Sequence, residues 1–314
     1  MNIFNVVGYD VNGLTQEEAL TFADLNWTVA KQPIWTDGIN GPITSAKHFA
    51  TVRQDNQAIL GIVGPDYAPV QNHELLYLCE RVAKDSQITI ETAGPLFGGS
   101  RVWIQLKGDC FDVGPKKDQN YTTTLFTNGH DGLWPLCSLP TSYRVVCQNT
   151  LNMAINEGRK KNMIISMKHV GDMQSRLEQM YMAIQEFKDR AVDFKEKVNL
   201  LGNTPVSTEF VQEFWTKVYI DLYGNFSSDP TTEDQKEKFD HAKSKVLKWI
   251  NVFDSEVKES GANLWTAMNA VTYDLDHNQI YRGDRKYENR FNDILFGNGA
   301  KEKINVMNRA LSMV

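Results

Sequence analysis

The sequence predicts an α+β protein in two parts: an antiparallel β-hairpin and helix domain over residues 1–160, then a mainly helical domain over residues 161–314. Short β-prone runs punctuated by turn residues occupy the stretch from Phe49 to Cys147, and beyond residue 171 the apolar residues recur at helical steps of three and four. Phe49-Ala50-Thr51-Val52-Arg53 and Ala58-Ile59-Leu60-Gly61-Ile62-Val63, joined through turn-prone Asp55-Asn56, read as a hairpin. From Asn72 to Lys84, Leu75, Leu76, Leu78, Cys79 and Val82 make the apolar face of a helix. Ile88 to Thr92 and Arg101 to Lys107 flank Gly94-Pro95-Leu96-Phe97-Gly98-Gly99, a second hairpin with a glycine-rich tip. In its second strand Val102, Ile104 and Leu106 alternate with Arg101, Trp103, Gln105 and Lys107. Strand side chains point alternately to opposite faces, so one face is expected in the core and the other wet, basic and aromatic. Strands near Tyr121 to Thr127 and Ser142 to Cys147 bracket Asn128-Gly129-His130-Asp131-Gly132, and a helix is expected to open at Asn149-Thr150.

In the second part, Met173, Leu177, Met180, Ile184, Phe187, Ala191, Phe194 and Val198 form a heptad seam on one long helix. Folding back on the helices after Pro205 is the default for such a seam, and pairing with a second copy is the alternative that motivates an expected homo-oligomer. Pro205 starts a helix through Phe210, Phe214, Val218 and Leu222, the stretch from Gly224 to Pro230 breaks it, and Thr231-Thr232-Glu233-Asp234 opens a charged helix to about Lys258. Shorter helices are expected over Ala262 to Asp276, Tyr287 to Leu295 and Ala300 to Leu311.

Composition narrows the class. With 41% hydrophobic and 23% charged residues in 314, the chain is globular in character. It has no run of about 18 apolar residues, and Met1-Asn2-Ile3-Phe4-Asn5 lacks the charged start and apolar core of a secretory signal, so a cytoplasmic protein with no membrane partner is expected. Cys79, Cys110, Cys137 and Cys147 make no C-x-x-C pair, which favours buried reduced thiols. A net charge of −6 excludes a grip on duplex DNA by the whole surface and leaves room for a local basic groove.

Few segments carry chemistry. His130 beside Asp131 can hold a proton or an oxyanion, whereas Asn, Asp and Gly around them equally make a hairpin turn. No G-x-S-x-G elbow, H-E-x-x-H helix, P-loop or G-x-G-x-x-G turn is present, and Asp274 with His277 supplies one ligand pair where a metal needs more. Neither a catalytic residue, a metal nor a cofactor is therefore assigned. Nucleic acid is bound by cations interleaved with rings, since phosphate contacts supply affinity and bases stack on aromatics. The candidates are Arg101, Trp103 and Lys107 on one strand, Tyr143 and Arg144 on another, and the run Arg159-Lys160-Lys161.

Thr127-Asn128-Gly129-His130-Asp131-Gly132, then Pro135-Leu136, then Thr141 and Arg144-Val145-Val146-Cys147-Gln148-Asn149-Thr150-Leu151 resemble the phage/plasmid-like proteins that carry the domain of unknown function 932. Leu25-Asn26-Trp27 near the start and Leu295-Phe296-Gly297-Asn298-Gly299-Ala300 near the end fit the same family. Its pattern has Thr-Pro before the position preceding the Arg, where this chain has Pro140-Thr141-Ser142. The resemblance implies a mobile-element origin and brings no reaction with it; Asn128, His130, Asp131, Asn149 and Thr150 are its motif residues of unassigned role. In that context the expected function is single-stranded DNA binding and annealing as an accessory of phage recombination or replication, by a homo-oligomer in the bacterial cytoplasm. The alternative is a phage enzyme or host-directed interaction protein using the His130–Asp131 loop or the helical half.

Overall fold

The structure, a computed structural model, describes residues 3–144, 150–152, 165–185 and 188–314. The chain opens with α1 (Ile3–Val7), β1 (Tyr9–Asp10) and α2 (Gln16–Phe22), the last started by a capping box in which Thr15 and Glu18 satisfy each other's backbone N–H groups. A three-stranded antiparallel sheet follows, made of β2 (Val29–Gly38), β3 (Gly41–Arg53) and β4 (Ile59–Val63). The expected hairpin is β3 with β4, but it covers only the base of β3: Phe49 to Val52 pair with β4, and the outer half of β3 pairs with β2 alone. That outer half and its partner form an arm.

After α3 (Asn72–Ser86), the strands β5 (Thr89–Leu96), β6 (Arg101–Val113), β7 (Asp118–Gly129) and β8 (Leu136–Arg144) run as consecutive antiparallel neighbours. β1 adds to the β5 edge, and β9 (Thr150–Asn152) and β10 (Ile165–Met167) both pair with β8. Thr150 thus lies in a strand where a helix start was expected; Asn149, Arg159, Lys160 and Lys161 lie outside the described residues. The remaining elements are helices: α4 (Met173–Gln185), α5 (Lys188–Gly202), α6 (Thr208–Tyr223), α7 (Glu233–Ser260), α8 (Leu264–His277), α9 (Lys286–Phe296) and α10 (Asn298–Leu311).

The larger sheet is buried on both faces. Val102, Ile104, Leu106 and Phe126 pack against α3 and α4, whereas Trp103, Leu125 and Leu139 pack against Phe4 of α1 and Phe291, Ile294 and Leu295 of α9. The face expected to be wet is therefore a second core, closed by elements from the two ends of the chain. A third core joins α5, α6, α7, α8 and α10 around Trp215, Trp249 and Trp265.

Six of the eight seam residues are spent inside the chain, and Phe187 lies outside the described residues. Met173, Leu177, Met180 and Ile184 enter the core under α3, and Phe194 and Val198 enter the helical core. Because β10 and α4 complete the first core and α1 and α9 share another, residue 160 does not separate two independent cores. Among the described residues, no helix is long and apolar enough to cross a membrane.

Candidate nucleic-acid interface

The segment Asn128 to Gly132 leaves the end of β7 and is fixed from every side. The His130 N–H donates to the Ser100 carbonyl at 2.7 Å, Thr51 Oγ1 donates to the His130 carbonyl at 2.6 Å, and His130 Nε2 lies 3.0 Å from Asn72 Oδ1. Asn128 Nδ2 donates to the Val70 carbonyl at 3.0 Å. The small sheet crosses so close that a Cβ on Gly61 would sit 2.5 Å from the Asp131 Cα, which is why β4 carries glycine there. His130 is fully buried with its ring against Trp27, and burial, aided by His169, pushes its pKa down to about 3. It is a neutral post tying β3, α3 and β7 together, with no face open to a substrate.

Asp131 shapes the turn between β7 and β8. Its Oδ1 accepts the backbone N–H groups of Leu133 and Trp134 at 2.9 and 3.0 Å, closing that turn, while Oδ2 accepts Arg101 Nε at 3.0 Å. Arg101, at the start of β6, is held over the Trp134 ring, 4.2 Å from guanidinium to centroid, and beside Phe97 at 5.1 Å. Arg285, exposed at the start of α9, lies 5.8 Å from the same Phe97 ring. Phe97 has a positive φ of 53°, a conformation that costs a bulky residue roughly 1–2 kcal/mol, and Glu288 of α9 accepts its N–H. Arg285, Phe97, Arg101 and Trp134 thus alternate cation and ring along one edge of the molecule.

A cleft of about 390 Å³ adjoins this edge, between the turn that carries Leu133 and Trp134 and the segment Ser166 to Val170. Tyr67 and His169 stack in its wall at 5.0 Å, and the Tyr67 hydroxyl donates to the Gly129 carbonyl at 2.7 Å. Lys168 is exposed on the cleft and forms no ion pair among the described residues. Lys31 donates to the carbonyls of Pro65 and Tyr67, and Arg176 to that of Val170, which brings two more cations to the rim.

The candidates expected from sequence are scattered. Arg101 and Lys107 are six residues apart on β6, roughly 20 Å, and Lys107 pairs with Glu91 at 2.8 Å over the Tyr121 ring. Arg144 sits opposite Asn120, at the far end of β7 from Arg101's partner Gly129. Its guanidinium is 2% exposed and bonded to Asp118, Glu256 and Ser260, while Trp265 Nε1 donates to the same Asp118 at 2.8 Å. Arg144 is therefore a tie between the sheet and α7, not a phosphate contact. Trp103, fully buried against Phe4 and Phe291, is likewise removed from any DNA surface. Tyr143, half-buried beside it on β8, shares the Arg144 end of the sheet. Of the described candidates, Arg101 alone lies on the cation and ring edge.

Sequence reasoning passed over Tyr67, Phe97, Trp134, Lys168, His169 and Arg285. Two signals for them were present: the aromatic in Leu133-Trp134-Pro135, a turn between strands, and the exposed run Arg282-Gly283-Asp284-Arg285-Lys286. Asp274 and His277 are engaged otherwise than with a metal, Asp274 with Lys245 at 2.7 Å and His277 Nδ1 with Arg290 at 3.1 Å. Cys79 and Cys137 are buried thiols as expected, whereas Cys110 is exposed.

A family model described as Domain of unknown function (DUF932) matches residues 59–295, three quarters of the chain. The chain belongs to the DUF932 family. The match takes in the edge from Phe97 to Trp134, Arg285, the residues lining the cleft and the buried Arg144 tie, and leaves out the arm as well as Lys31 and Thr51. Neither the curated proteins nor the solved structures yield a match.

Proposed function

We propose that this chain binds single-stranded DNA and promotes its annealing, as an accessory of phage recombination or replication in the cytoplasm of a bacterial host. The observation that supports this reading best is the ladder in which Arg285, Phe97, Arg101 and Trp134 alternate at 4.2 to 5.8 Å beside the unpaired Lys168. Cations hold a phosphate backbone, and an exposed ring stacks a base for about 1–3 kcal/mol. A duplex keeps its bases stacked inside and offers nothing to such rings, so the ladder favours a single strand. Asp131 holds Arg101 through Nε, and the guanidinium lies over Trp134 at 4.2 Å. No cofactor enters: the chain would hold the backbone, present the bases and release them to a complementary strand.

The proposal includes a second copy of the chain. With six of the seam residues buried in the chain's own cores, the surface for it is the arm of β2 and β3, where Trp35, Ile39 and Ile43 are exposed and the outer strand edges carry no partner among the described residues. The test of function is strand annealing. Complementary labelled oligonucleotides should anneal faster with the protein than without it, and Lys168→Glu with Arg285→Glu should abolish the gain. An annealing rate unmoved by the wild-type protein contradicts the proposal.

A further inference from the structure

We infer that the cleft beside Trp134 takes a single nucleobase turned out of a bound DNA strand. This rests on the proposed single-strand binding and names what the site adds to it. The cleft has the size of a small-molecule site, about 390 Å³, and its polar and aromatic groups come from separate segments: Tyr67 before α3, Trp134 in the turn after β7, and Ser166, Lys168 and His169 around β10.

His169 is the independent observation. It is 4% exposed and lines the cleft, and among the described residues neither ring nitrogen makes a hydrogen bond of normal geometry, the backbone of Ala68 being near enough only to offset part of the effect of burial on its pKa. Buried polar groups are nearly always paired, so an unpaired ring in a cleft wall marks a place where a ligand completes the pairing. Its backbone is already committed, the His169 carbonyl accepting the Ala68 N–H at 2.9 Å, and its ring is stacked on Tyr67 at 5.0 Å. Burial holds the imidazole neutral, with a pKa down to about 4, and a neutral imidazole offers one donor and one acceptor.

Nucleobase edges carry donors and acceptors side by side to meet His169, and their flat faces suit the half-exposed Trp134 ring. Lys168 at the mouth supplies a cation for a flanking phosphate. A free sugar would meet the polar groups without using the rings. An apolar ligand would leave both His169 nitrogens unpaired.

The experiment compares a thymidine oligomer of 20 nucleotides with an abasic oligomer of the same length, by anisotropy at one low salt concentration. The wild-type protein should bind the thymidine oligomer at least tenfold more tightly. Trp134→Ala and His169→Phe should each collapse that ratio toward one while leaving the salt slope unchanged, the second variant keeping a flat ring on Tyr67 so that the fold is retained. A ratio unchanged in either folded variant overturns the base pocket and leaves single-strand binding standing. Should neither oligomer bind, the single-strand reading fails, and titration with thymidine 5′-monophosphate then decides the cleft separately. Saturable binding lost in His169→Phe supports a base site, and no binding overturns it.

Discussion

The Arg144 guanidinium divides its donors among Asp118, Glu256 and Ser260, all buried, and so spans β7, β8 and α7. Removing it would leave Asp118 and Glu256 as buried carboxylates without their cation, a loss of about 3–5 kcal/mol. Arg144→Ala is therefore expected to lower the urea midpoint sharply while leaving base preference intact in whatever fraction remains folded. A variant as stable as wild type would refute the tie. The two buried histidines set the acid limit. Their folded pKa values, about 3 for His130 and about 4 for His169, lie below the ordinary 6.5, so the unfolded chain binds more protons. Their contribution is complete above pH 6.5 and is lost as the pH falls toward 4 and then 3, about 2 kcal/mol each by pH 5. Urea unfolding at pH 7.5 and pH 5 should show that loss, and His169→Phe should halve it. An identical pH dependence in the variant would count against a neutral buried His169. Residue identity alone could not separate Arg101 from Arg144: both stand on strands beside aromatics, and Arg144 is buried when α7, more than a hundred positions later, brings Glu256 and Ser260 to it beside Asp118 of β7.

At the scale of elements, β4 is pressed onto the end of β7 at Gly61, and the side chain that Gly61→Ala adds would meet the Asp131 backbone. Overpacking of this kind costs about 1–3 kcal/mol, and because Asp131 aligns Arg101, the variant should also weaken single-strand binding. Normal affinity at reduced stability would show that the turn tolerates the shift. The arm makes the opposite prediction. Trp35→Ser with Ile43→Ser removes exposed side chains, so stability should move by no more than about 0.5 kcal/mol, whereas the mass by light scattering at micromolar concentration should fall to that of one chain. A wild-type protein that is already monomeric would dismiss the arm as a contact. Period and turn chemistry made α3 and α6 to α10 legible close to their bounds, whereas the hairpins were placed but not bounded: β5 runs through Gly94-Pro95-Leu96, read as the tip, and β6 continues to Val113. The outer half of β3 was not legible, because Gly41-Pro42-Ile43-Thr44-Ser45 has turn residues and no clean alternation, and pairing with β2 rather than a core holds it extended.

For the molecule as a whole, the ends of the chain close the middle. Phe4 of α1 meets both Trp103 of β6 and Phe291 of α9, so the sheet cannot form its second core without the last part of the chain. Heat or urea should therefore unfold the sheet and the helices in one transition, with tryptophan fluorescence and far-ultraviolet circular dichroism coincident, and a fragment of residues 1–160 should not fold alone. Two separated transitions would contradict a shared core. This is also why the alternation in Arg101 to Lys107 misled: a period of two reports that a strand has two faces, and whether the second meets water or a helix depends on α9, which local pattern does not reach.

The net charge of −6 and the carboxylates on Arg101, Lys107 and Arg144 leave the cations beside the cleft and at the start of α9 to attract DNA. The most direct test of that claim is anisotropy of labelled single- and double-stranded oligonucleotides across a salt series, for the wild type and for Lys168→Glu with Arg285→Glu. The account predicts salt-sensitive binding that prefers the single strand, with affinity and salt slope both reduced in the variant. Equal binding of both forms, or a variant indistinguishable from wild type, would contradict it.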